Sequence, residues 1–130
     1  MINLVYAYLG DAIYEEFIRR YLINKGISKV NDLQKESLKY VTAQSQASFL
    51  EKMLSDNFLT EDEIDIFKRG RNASSHSSKS TDIITYKKST GLECLIGYLS
   101  LNNNEKRIEE IMNYIVGEKW KYVEKTFLMS

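Results

Sequence analysis

Gly91-Leu92-Glu93-Cys94-Leu95-Ile96-Gly97 sets a single carboxylate inside an apolar run. Around it Ile83, Tyr86, Leu92, Leu95, Ile96 and Leu99 recur at helical intervals, so the chain from Asp82 onward reads as a long buried helix that ends at Asn102 to Asn104. Gly10-Asp11-Ala12-Ile13-Tyr14-Glu15 repeats the arrangement near the start of the chain. There Leu9, Ile13 and Phe17, flanked by Ile18 and Leu22, form the stripe of a first long helix that ends near Gly26. A carboxylate among core-forming neighbours is costly to desolvate unless it is paired or binds a metal. Two of them, Asp11 and Glu93, therefore ask for a shared purpose.

The stretches between carry the same period. A second helix is expected to begin after Asn31 or Asp32 with Leu33 and Leu38 inward, and a third carries Ala43, Ala47, Leu50 and Leu54. Thr60-Glu61-Asp62-Glu63 has the form of a capping box, which starts a helix there, turns Ile64 and Phe67 to the core and leaves Gly70 to break it. Ile108, Ile111, Met112 and Ile115 mark a last helix. Residues 74–81 contain five serines and read as a loop. The tail after Gly117, with Trp120, Tyr122 and Phe127, reads either as a further helix or as a loosely held end. With no proline and no internal repeat, residues 1–130 are expected to form one all-α domain.

Net charge is zero, which by itself argues against a nucleic-acid binder. The charges are segregated, however. From Glu51 to Asp65 they are mostly acidic, whereas between Lys68 and Lys88 the bases Lys68, Arg69, Arg71, Lys79, Lys87 and Lys88 face Asp82 alone. A local phosphate-binding surface stays open. Cys94 is the one cysteine, so neither an intrachain disulfide nor a thiolate metal cluster can form. No apolar run has the length of a membrane span and no secretory signal opens the chain, so a cytoplasmic protein is expected. His76 is the only histidine, which argues against zinc and against a histidine-centred triad, and Cys94 reads as a small buried hydrophobe.

Four segments together resemble a known family: Ala7-Tyr8-Leu9-Gly10-Asp11-Ala12, Val41-Thr42-Ala43-Gln44-Ser45-Gln46-Ala47, Arg69-Gly70-Arg71-Asn72-Ala73, and Tyr86 to Gly97 with Tyr98 and Leu99. Gly-Asp-Ala near the start of a helix and a later Glu-x-Leu-Ile-Gly resemble the signature helices of the ribonuclease III endonuclease domain. The order and spacing of all four are similar to its Mini-ribonuclease III branch, from about Leu4 to Leu101. The resemblance implies the ribonuclease III helical fold and a Mg²⁺-dependent endoribonuclease that cuts double-stranded RNA as a homodimer, leaving 5′-phosphate ends. It also implies a part in maturation of large-subunit (23S) ribosomal RNA.

Such chemistry needs charge neutralised on the phosphate oxygens and a water made nucleophilic, and a Mg²⁺ held by one or two carboxylates does both. Asp11 and Glu93 are the catalytic and metal-binding candidates, with Glu15, one turn beyond Asp11, as an outer carboxylate. From spacing alone the alternatives stay open, since a lone helix aspartate such as Asp11 is more often a capping or surface residue and Glu93 also fits a solvated position on an amphipathic face. Where the broader family carries further acidic residues this chain aligns Leu4, Ala7 and Thr90, which implies a thinner metal shell. Without the appended duplex-binding domain of ordinary ribonuclease III, RNA contact is expected from Arg69, Arg71, Asn72, Lys79, Lys87, Lys88 and Gln46, because duplex RNA is read by shape and phosphates. Val5, Tyr6, Tyr8, Tyr14 and Tyr21 exceed what one helical stripe buries and are the expected dimer surface, although the same tyrosines could roof the core. A non-catalytic RNA-binding module of degenerate fold and a helical protein-interaction domain are the competing readings.

Overall fold

The computed structural model describes residues 2–74 and 82–120, and within them every regular element is a helix: α1 (Ile2–Asn24), α2 (Val30–Val41), α3 (Ala43–Ser55), α4 (Glu61–Ala73), α5 (Ile83–Leu101) and α6 (Glu105–Val116). The segment 91–97 lies at the centre. Helix α5 buries Leu92, Cys94, Leu95, Ile96 and Leu99 and packs against α1, α3, α4 and α6, as a helix apolar on all sides must. Asp82 caps it, accepting the Thr85 backbone N–H at 2.9 Å.

Helices α1 and α5 cross with their backbones in contact. A Cβ on Gly10 would stand 1.8 Å from the Glu93 carbonyl oxygen, and one on Gly97 would stand 1.8 Å from that of Tyr6. Gly10 thus faces Glu93 while Tyr6 faces Gly97, an antiparallel register that carries Asp11 to the side of Glu93. The expected stripe of α1 is rotated slightly. Ala7, Gly10, Tyr14, Phe17, Ile18, Tyr21 and Leu22 are buried, whereas Leu9 and Ile13 are half-buried.

Several expectations are corrected. Helix α2 starts at Val30, and Leu38 lies 56% exposed because the helix covers α1 from outside and buries no residue completely. Gly70 does not end α4, which runs on to Ala73. Its missing side chain is needed for packing, since a Cβ there would meet the Cys94 Cβ at 2.3 Å. Ile83, in the first turn of α5, points outward. The capping box at Thr60 and Glu63 and the apolar stripe of α6 are formed as read. Of the 74–81 loop only Ser74, buried as the cap residue of α4, is described, and residues 75–81, with His76 and Lys79, lie outside the described residues. Residues 121–130, with Tyr122 and Phe127, lie outside as well. Trp120 is in the core, edge-on to Phe17 at 5.0 Å and Tyr21 at 5.8 Å.

A polar clamp ties α6 to the start of α4. Arg107 donates from Nε to Glu63 at 2.7 Å, from its terminal nitrogen to Glu63 and to the Phe58 carbonyl at 2.8 Å each, and lies 4.5 Å from the Phe58 ring centroid. Burial opposes ionisation of Glu63, but Arg107 and the Thr60 backbone outweigh it and hold the carboxyl below its ordinary range.

Candidate active site

Asp11 is exposed on α1 and Glu93 half-buried on α5, and their carboxyl groups hydrogen-bond to each other. Glu93 is pushed up to about 8, first by burial and then by the charge and hydrogen bond of Asp11, with Glu15 adding in the same sense. Glu15 lies half-buried one turn along α1 and accepts from Arg19 at 3.3 Å. Asp11 and Glu15 thus both act on Glu93 as negative charges. The arrangement has excess negative charge and can hold a cation.

Tyr14 and Gln46 underlie the pair. Tyr14, 1% exposed, donates to the Tyr40 carbonyl at 2.6 Å and fastens the end of α2 to α1; burial and the neighbouring Glu93 raise its hydroxyl well above the usual phenol range. Its place in the core corrects the expectation that it serves a dimer surface, and the same holds for Tyr21, at 2%. Gln46, 2% exposed on α3, lies close enough to Glu93 for its amide to favour the ionised carboxyl. It is not a surface contact for RNA. Its helical spacing to Leu50 and Met53 puts it on the buried stripe of α3, a signal present in the sequence but overlooked.

The basic candidates divide. Gly70 packs on Gly91 and Cys94, the two sides of Glu93 in sequence, so Arg69 and Arg71 flank the contact between α4 and the carboxylate helix. Arg69 is exposed and pairs with Asp65 at 2.9 Å. Arg71 lies 5.6 Å from the Phe67 ring centroid and donates to Asn72 at 3.1 Å. Lys88 bonds to Glu51 at 2.8 Å and spans α5 and α3, and Lys87 is half-buried beside it. Lys88 precedes Glu93 by five residues, about 7.5 Å along a helix axis.

Among the described residues no group of three or more His, Cys, Asp or Glu side chains has the closeness of a complete metal cage. Two carboxylates in contact are nonetheless what Mg²⁺ requires, because it keeps most of its water. The buried Gln46 Oε1 has no hydrogen-bond partner. The residues present fit a hydrated hard cation.

The ribonuclease III domain family matches residues 4–104. The chain is 46% identical over 115 residues to the Mini-ribonuclease 3 of Enterococcus faecalis, covering 88% of this chain and 87% of that one. It is 46% identical over 114 residues to the protein of the same name from Staphylococcus aureus, covering 87% and 85%. A crystal structure of a protein from Fusobacterium nucleatum superposes with a TM-score of 0.77 at 32% identity, covering 88% of this chain and 91% of that one.

Proposed function

This chain belongs to the ribonuclease III family and is an endoribonuclease, and from that premise we propose that it cleaves double-stranded RNA with Mg²⁺ at Asp11 and Glu93. The observation that carries the reading is the approach of these two carboxyls at the glycine-lined crossing of α1 and α5, with Glu93 raised to about 8 by burial and by the charge of Asp11, which a positive charge at the pair offsets. When bound, Mg²⁺ supplies that charge, neutralises phosphate oxygens and lowers the pKa of water. Asp11, open to solvent, meets the polymer backbone; Glu93, fixed from beneath by α5, keeps its carboxyl at Asp11. Arg69, Arg71 and Lys87 supply phosphate contacts beside the carboxylate helix, and Asn72 belongs to the same surface in this reading.

We further infer one catalytic domain per chain, acting as a homodimer in the cytoplasm on ribosomal RNA precursors of the 23S type. A duplex presents two strands related by approximate two-fold symmetry, and one carboxylate pair per chain cuts one of them. No helix of the described residues is long and apolar enough to cross a membrane. Incubation of the protein with a long RNA duplex, with and without Mg²⁺, tests the reading: Mg²⁺-dependent paired cuts with 5′-phosphate ends are expected, lost in Asp11→Asn. Binding of duplex without cleavage would make it a degenerate module, and no binding at low salt would leave an interaction domain.

A further inference from the structure

Gln46 is a buried amide in a small site otherwise made of carboxylates. It sits 2% exposed on α3 between Thr42 and Leu50, where helical spacing assigns an apolar residue. Its nitrogen donates to the Val41 carbonyl at 3.5 Å, and the amide lies near enough to the Glu93 carboxylate to favour its ionised form. Both are acceptors, so the nitrogen faces them and Oε1 is left over, without a partner. An unpaired buried carbonyl is destabilising, a burden that a purely structural position would shed by becoming leucine or methionine.

We propose that Gln46 is a positioning residue of the Asp11–Glu93 site: its amide nitrogen holds the Glu93 carboxylate beside Asp11 for cation uptake, and its free oxygen receives water of the same site. The inference rests on the assignment of a cation to that pair and extends it to a third helix. Helix α3 then becomes part of the site, so that three helices converge on it. Groups that orient a metal ligand typically change affinity about 10- to 100-fold when removed.

The test uses Gln46→Met, which keeps length and apolar bulk while removing both polar atoms. Mn²⁺ binding to the RNA-free protein, read by electron paramagnetic resonance, should weaken at least about tenfold. Duplex RNA binding without divalent ion should stay within twofold of wild type. In cleavage, the Mg²⁺ concentration for half-maximal rate should rise in parallel, and excess Mg²⁺ should restore much of kcat with KM for RNA unchanged. Unaltered Mn²⁺ affinity overturns the proposal, as does a loss of metal-free RNA binding with normal Mn²⁺ affinity, which would return Gln46 to the RNA surface. Should Gln46→Met fail to fold, the wild-type protein decides: the Gln46 side-chain amide resonances must shift on Mg²⁺ addition in step with the Glu93 carboxyl, and their constancy refutes the idea. Asp11→Asn separates this from the underlying reading, since Mn²⁺ binding unaffected by that change would remove the cation site itself, whereas Gln46-dependent Mn²⁺ binding in a protein that does not cut RNA would uphold Gln46 and sink only the reaction.

Discussion

Glu93 combines a catalytic assignment with a thermodynamic cost. A carboxyl raised to about 8 in the folded chain from its ordinary unfolded value binds a proton on folding, so its contribution is intact below the unfolded pKa and is lost as pH rises toward 8. The metal-free protein should therefore lose up to about 1.4 kcal/mol per pH unit from this group between about pH 4.5 and 8. Glu93→Gln should abolish cleavage, match the wild-type thermal midpoint near pH 5 and exceed it at pH 8, while saturating Mg²⁺ should flatten the wild-type slope. Denaturation of both forms across that range would show it, and parallel curves would mean that the Glu93 carboxyl is not raised. Glu63 has the opposite sign. Held low by Arg107, it stabilises above its unfolded pKa and ceases to do so as pH falls through its folded value.

Helix contacts are as demanding as the carboxylates. Gly10→Ala drives a methyl group into the Glu93 carbonyl, and since a backbone atom cannot rotate aside, α1 and α5 must separate. A loss of about 3 kcal/mol is expected, together with cleavage, because the separation parts Asp11 from Glu93. Calorimetry and turnover should fall together; a stable and active variant would contradict the backbone contact. The Arg107 clamp makes a contrasting case, since it lies among α4, α6 and the Phe58 turn and touches neither carboxylate of the site. Arg107→Ala leaves Glu63 buried without its partner and should cost about 3–5 kcal/mol in chemical denaturation. Turnover below the melting range should stay near wild type.

Assembly follows from what one chain leaves uncovered. Val5 at 50% and Tyr8 at 84% exposure, with Ile2 and Leu4, form an apolar patch on the outer side of α1, whereas Tyr6 is engaged edge-on with Tyr98 at 5.5 Å. Such a patch fits an isologous contact. Light scattering at micromolar concentration should give twice the 15.1 kDa chain mass, and Val5→Lys with Tyr8→Lys should give monomers that nick duplex RNA rather than cutting both strands. A double variant that stays dimeric would move the interface elsewhere. Arg69→Ala with Arg71→Ala should weaken duplex binding and flatten its salt dependence by up to roughly two phosphate contacts, independent of RNA sequence. An unchanged slope would shift the interface toward Lys87 and Lys88.

The cap at Thr60, the stripe of α6 and the buried character of α5 were readable in the chain because helical period and capping are written within a few neighbouring residues. So was the oddity of Asp11 and Glu93, two charges where apolar neighbours predict none. Periodicity could not say which side of α1 is covered, and hence that Tyr14 and Tyr21 are core, because nearly every side of that helix carries an apolar or aromatic residue. Nor could it tell a glycine that ends a helix from one on which another helix rests, as at Gly70, or anticipate that Arg107 reaches Glu63 across 44 residues. Those outcomes depend on which surfaces meet after the chain has folded back on itself. The meeting of Gln46 with Glu93 is of the same kind: each residue belongs to its own helix by local rule, and packing alone makes them neighbours.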